Sequence, residues 1–76
     1  MFLSINPNPT SQVYNMKSDI PLSKIEMLDL NGKVIIDVQV PALEETSLDV
    51  SKITSGIYYV KLYSELGIVV KEVVVR

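Results

Sequence analysis

The sequence predicts an all-β fold: an immunoglobulin-like antiparallel β-sandwich of about seven short strands. Hydrophobic residues make up 47% of the 76 residues. Many of them are Val and Ile, whose branched side chains favour strands. Turn-forming residues interrupt the chain about every 8–12 residues, a spacing typical of sandwiches. No segment has the periodicity of a helix of about three turns, and no repeat or linker divides residues 1–76, so we expect one domain.

The first quarter of the chain reads as two short strands. Residues 2–5 are apolar and end at Asn6-Pro7-Asn8-Pro9-Thr10. The prolines in that segment lack backbone donors, so it is predicted to cross between strands or to lie at an edge. Residues 12–17 alternate in polarity and form the second predicted strand, which residues 18–21 close.

A β-hairpin is predicted in the middle of the chain. In the strand 23–30, Ile25 and Met27 face the core, and a bulge is expected near residues 27–29 because the apolar parity changes there. Asn31-Gly32 predicts a two-residue type I′ turn, which needs positive φ at both positions. The partner strand, residues 33–40, has one apolar face made of Val34, Ile36, Val38 and Val40.

The second half of the chain is predicted to begin with a loop. Pro41 ends the preceding strand, and residues 41–46 form a polar connection. In the short strand 47–50, Leu48 and Val50 point inward. The connection that follows is expected to carry Ile53 into the core.

The last two strands, residues 57–64 and 68–75, are predicted to form a hairpin around residues 65–67. Tyr58 shares its face with Val60 and Leu62, which indicates the core side. Its place at the start of the penultimate strand is typical of the tyrosine corner of Greek-key sandwiches. We therefore expect its hydroxyl to bond to the preceding loop.

Composition argues against most chemistry. The chain has no Cys and no His, so it lacks thiolate and imidazole metal ligands and the commonest general base. No Gly-x-Ser-x-Gly elbow is present. Asp29-Leu30-Asn31-Gly32 is similar to the start of a calcium loop but lacks the later glutamate. With a net charge of −2, nucleic acid is not an expected partner. We predict a protein that is not an enzyme and has no metal or cofactor.

Targeting signals are also missing from the sequence. No apolar run approaches the roughly 18 residues of a membrane-spanning helix. Met1 is followed by a short apolar patch without the basic region of a signal peptide. Export would therefore be directed by a segment N-terminal to this one, with Met1 added to a domain excised from a larger secreted protein.

Tyr59, Lys61 and Tyr63 share the face opposite the core. If both rings are exposed, Tyr59 and Tyr63 could stack on sugars, and the domain would be a carbohydrate-binding or adhesion module of a secreted enzyme. The other interpretation is cross-strand packing on a neighbouring strand. A third is a structural spacer of fibronectin type, whose C-terminal residues could be deleted without effect on transport.

The order of the motifs resembles the type A C-terminal sorting domain of the type IX (Por) secretion system, over essentially the whole chain. The motifs are Asn6-Pro7-Asn8-Pro9, Ser23 to Lys33 with Asn31-Gly32, Leu48 to Ser51, Ser55 to Leu62, and Lys71 to Arg76. The resemblance implies a non-catalytic secretion signal at the C-terminus of a larger protein, which is its covalently linked cargo.

The resemblance also implies an export route in a Gram-negative bacterium. The protein would fold in the periplasm and be recognised by the outer-membrane translocon. A sortase-like peptidase would cleave upstream of the Pro-Asn-Pro segment, leaving the cargo at the cell surface or outside the cell. The recognition signal would map onto Gly56, Tyr58, Val60, Lys61, Lys71, Val73, Val74, Val75 and Arg76.

The final strand offers a physical basis for such a signal. If residues 68–75 lie at a sheet edge, their backbone groups could accept a strand from a partner. Lys71, Glu72 and Arg76 would limit indiscriminate pairing. Uncovered strands of this kind also permit β-mediated self-association.

Overall fold

The structure is a computed structural model that describes residues 3–6 and 12–76. All of its regular elements are strands, which confirms the all-β prediction. None of the described residues belongs to a helix that is long and apolar enough to cross a membrane. The strands are β1 (Leu3–Asn6), β2 (Val13–Leu28), β3 (Val34–Asp49), β4 (Gly56–Ser64) and β5 (Gly67–Val75).

The five strands form one curled antiparallel sheet in which β2 is central. The first half of β2 lies between β1 and the end of β3. The second half of β2 lies between the start of β3 and β4. β5 then pairs with β4. This arrangement is consistent with the predicted sandwich, whose immunoglobulin-like form stays a prediction.

Four of the predicted short strands are joined into two long ones. β2 runs through the predicted stop at residues 18–21, and β3 runs through the predicted loop at residues 41–46, so both of these predictions were wrong. The β2–β3 register shifts between Lys17 and Leu22 and again between Leu22 and Lys24. Pro21 and Pro41 fall in these irregular stretches, where a missing N–H donor does not interrupt a regular ladder.

The core contains most of the residues that alternation placed inward. Ile25, Met27, Leu48 and Val50 are buried as predicted, and Ile53 packs against the cluster. The other buried hydrophobic side chains are Tyr14, Met16, Leu22, Leu28, Val40, Tyr58, Val60, Leu62, Val73 and Val75.

The predicted apolar face of β3 is only partly correct. Val40 is buried and Ile36 packs against the core, but Val34 and Val38 are 43% and 38% exposed. The expected bulge is present: Met27 pairs with Ile36 whereas Leu28 pairs with Val34, which leaves Ile35 as an extra residue in β3. This shift moves Val34 to the other face of the sheet. The first half of β3 also has a strand neighbour on one side only among the described strands.

The middle hairpin is organised by Asp29. Its carboxylate accepts hydrogen bonds from the N–H groups of Asn31 and Lys33, each at 2.9 Å, and its carbonyl accepts one from Gly32. Gly32 has a φ of 85°, which confirms that this position has the positive φ predicted for it. The predicted two-residue type I′ turn was wrong, because residues 30–32 form a three-residue loop closed by Asp29 and Lys33.

The β4–β5 hairpin as candidate recognition site

The β4–β5 hairpin holds the residues of the predicted recognition signal except Arg76, which follows β5 directly. It pairs without a register shift from Gly56 opposite Val75 to Ser64 opposite Gly67. The turn has two residues, not the three predicted, because β5 already begins at Gly67. In a hairpin with such a turn, the closing residues exchange backbone hydrogen bonds, and bonded pairs then alternate along the ladder. The odd-numbered residues of β5 therefore bond to β4.

Four of the predicted recognition residues have their side chains in the core: Tyr58, Val60, Val73 and Val75. Their cross-strand pairing explains this, because Tyr58 lies opposite Val73 on the face that also carries Val60. Of the remaining members, Lys71 and Arg76 are exposed, whereas Gly56, Lys61 and Val74 are half-buried. Among the predicted recognition residues, a partner that docks on the folded domain can therefore contact the side chains of this second group but not those of the first.

Tyr58 behaves as the tyrosine corner predicted from its position. Its ring is buried and its hydroxyl donates a hydrogen bond to the carbonyl of Thr54, with 2.5 Å between the oxygens. The bond fixes the connection between β3 and β4 against the start of β4. The side chain of Tyr58 therefore stabilises the folded domain and is not available to a partner.

Tyr14 anchors β5 at the same end of the hairpin, and the sequence analysis did not find this contact. Its side chain is fully buried and its hydroxyl donates to the carbonyl of Val74. Burial raises the pKa of Tyr14, which keeps the hydroxyl protonated as a donor. The contact joins the first half of β2 to β5, although these strands do not pair. A buried tyrosine needs a partner for its hydroxyl, but the sequence does not identify a carbonyl 60 positions away.

The predicted glycan platform falls on the solvent-facing side of β2 and β4. Tyr59 is 37% exposed, whereas Tyr63 is half-buried and its hydroxyl donates to the carboxylate of Glu26. The ammonium of Lys24 lies 5.3 Å from the centre of the Tyr63 ring. The two rings therefore do not form one open surface, and sugar binding by Tyr59 and Tyr63 stays an untested alternative.

Glu26 links the charged groups of this face. Lys24 Nζ lies 3.7 Å from Glu26 Oε2 and 3.8 Å from Asp37 Oδ2. The hydrogen bond from Tyr63, supported by the nearby positive charge of Lys24, lowers the pKa of Glu26. These contacts connect three neighbouring strands and hold the Lys24 ammonium against the Tyr63 ring.

The first half of β5 carries an exposed apolar area on the same face as Tyr59 and Tyr63, which the sequence analysis did not single out. Ile68 and Val70 are 55% and 53% exposed. Val70 also lines a shallow depression together with Leu28, Leu30, Tyr59 and Lys61. The alternation of apolar residues in β5 would have placed Ile68 and Val70 on the outer face, so the sequence carries a signal for this area.

The other residues of the family motifs lie away from this hairpin. Asn6 is exposed in β1, and Asn31 and Gly32 are exposed in the middle loop. Pro7, Asn8 and Pro9 lie outside the described residues. Within the described ranges, no group of three or more His, Cys, Asp or Glu side chains is placed to hold a metal ion.

A family described as the secretion system C-terminal sorting domain matches residues 4–76 of the chain. No curated protein matches it.

Proposed function

Because this chain belongs to the family of secretion system C-terminal sorting domains, we propose that the type IX translocon of the outer membrane and a sortase-like peptidase recognise it. The family match over residues 4–76 carries this proposal. A C-terminal secretion sorting signal directs export to the cell surface or the extracellular space. The attached N-terminal cargo would pass through the periplasm, and the peptidase would then remove the domain.

We propose that the domain acts by being recognised and that it catalyses no reaction. The tyrosine hydroxyls with defined partners serve the fold: Tyr14 bonds to Val74, Tyr58 to Thr54 and Tyr63 to Glu26. Asp29 and Asp49 each accept backbone N–H bonds inside their own turns. These groups stabilise a folded surface that a receptor can bind.

Within that surface, the cationic side chains of the hairpin are the best candidates for direct recognition. Lys71 and Arg76 are exposed, and Lys61 is half-buried on β4. The buried members of the predicted signal, such as Val73, would contribute by holding β5 in place. The signal then has two parts: a hydrophobic set that orders the hairpin and a charged set that a receptor contacts.

The test is export of a reporter. A periplasm-directed fluorescent protein carrying this chain at its C-terminus is expressed in a bacterium with a type IX system. Deleting residues 73–76 would remove Val73 and Val75 from the core, so substitutions are more informative. We expect the intact fusion to reach the surface or medium, and Lys71→Glu combined with Arg76→Glu to hold it in the periplasm.

The matched control combines Lys33→Glu with Lys52→Glu, which makes the same charge change at exposed positions outside the hairpin. This control should be exported. If the intact fusion stays inside the cell, the proposed function is wrong. If the Lys71 and Arg76 variant is exported normally, the signal does not depend on these cations, and a spacer role becomes the better account.

A further inference from the structure

β5 has an edge that faces away from β4. Among the described strands, β4 is its only neighbour. Since the odd-numbered residues of β5 bond to β4, the backbone groups of Ile68 and Val70 point to the other side. The hydroxyl of Tyr14 supports this assignment independently, because it reaches the carbonyl of Val74, which has the same parity.

This edge is regular, and the edge of β3 is not. β4 and β5 pair continuously, without a bulge or a proline. The first half of β3 contains the extra residue Ile35, and its register shifts again between Gln39 and Leu43, where Pro41 lies. Bulges and prolines protect sheet edges from pairing with other chains. β3 carries this protection, whereas the first half of β5 lacks it.

The side chains along the open part of β5 have a defined pattern. Ile68 and Val70 lie on the outer face, where both are more than half exposed. Lys71 is exposed on the other face, because it pairs with the buried Val60. The described residues give Lys71 no ion pair within 4 Å. The edge therefore combines two apolar positions with one cation on the opposite side.

We propose that the edge of β5 at Ile68–Val70 accepts an extended strand from a partner protein. Strand addition supplies main-chain hydrogen bonds, and alternate side chains give specificity. Apolar side chains of the partner lie beside Ile68 and Val70, and an acidic side chain lies beside Lys71. This inference rests on the proposed function, since a recognised sorting signal requires a receptor.

The charge pattern favours a different protein over a second copy of this chain. In an antiparallel pair of two β5 strands related by a two-fold axis normal to the sheet, facing residues share one face. Lys71 would then face an odd-numbered residue of the partner strand. β5 has no acidic residue at an odd position, because Glu72 is even. No such register gives Lys71 an acidic neighbour.

The backbone part of this proposal is tested with Val70→Pro in the same reporter fusion. The N–H of Val70 points away from β4, so proline removes a bond to the partner and leaves the β4–β5 ladder intact. Val70→Lys is the second variant. Lysine is well tolerated at sheet edges, but its charge disfavours pairing with an apolar strand of another protein. Val34→Lys is the control: Val34 is also an exposed valine, but on the protected edge.

We expect Val70→Pro to reduce exported fluorescence about tenfold, because it removes roughly one hydrogen bond to the partner strand. Val70→Lys should reduce it to a similar extent, because it replaces an apolar contact with a charged side chain. Val34→Lys should be exported normally, and all three fusions should keep the melting temperature of the parent. If the parent is exported and both Val70 variants are exported equally well, the edge proposal is wrong and the sorting function stands. If the parent is not exported, the sorting function itself fails.

Sedimentation of the purified fusion measures its oligomeric state, and this distinguishes a different protein from a second copy of the chain as the occupant of the edge. We expect a monomer. A dimer that Val70→Pro converts to a monomer would mean that a second copy occupies the edge, and it would overturn the assignment to a different protein.

Discussion

Both halves of β5 carry branched apolar residues, but these residues have opposite environments. In the second half, Val73 and Val75 are 0% and 2% exposed, and Tyr14 bonds to the carbonyl between them. In the first half, Ile68 and Val70 are more than half exposed. The buried pair is odd-numbered and faces the core, whereas the exposed pair is even-numbered. Branched apolar residues thus stabilise the fold at one end of the strand and offer a docking surface at the other.

The largest difference is expected on replacing single valines. Val73→Ala should lower the free energy of unfolding by about 2 kcal/mol, because it removes buried methyl groups from a packed core. Val70→Ala should change it by less than about 0.5 kcal/mol, as is usual for exposed positions. Chemical denaturation measures the free energy of unfolding of both variants. Equal decreases would show that the two halves of β5 contribute to stability in the same way.

A smaller effect is expected at the contact that holds the second half. Tyr14→Phe keeps the buried ring but leaves the carbonyl of Val74 without this donor, and it should cost about 1–2 kcal/mol of stability. Tyr59→Phe removes a hydroxyl from an exposed ring and should be nearly neutral. If the two tyrosine variants are equally stable, the Tyr14 hydroxyl does not anchor β5.

Sequence alternation predicted the local features of the fold well. Ile25, Met27, Leu48 and Val50 are buried as expected, because each strand has a side-chain period of two and one face on the core. Tyr58 was placed correctly because its partner, Thr54, is four residues away. Features of this kind depend on neighbours along the chain, and the sequence shows those neighbours directly.

Features that depend on distant strands could not be predicted in the same way. Pro21 and Pro41 read as strand ends, and only the β2–β3 register shows that they occupy irregular stretches inside longer strands. The same limit applies to the recognition signal. Resemblance assigned Val73 and Val75 to it, whereas their burial depends on the first half of β2 lying over the hairpin.

Backbone hydrogen exchange along β5 tests the central claim most directly. Amide exchange measured by NMR reports which N–H groups are bonded in the folded domain. We expect Val69 and Lys71 to be protected by β4, and Ile68 and Val70 to exchange fast because their N–H groups point to the open edge. Equal protection at all four positions would contradict the account, since it would show that the edge of β5 is already paired.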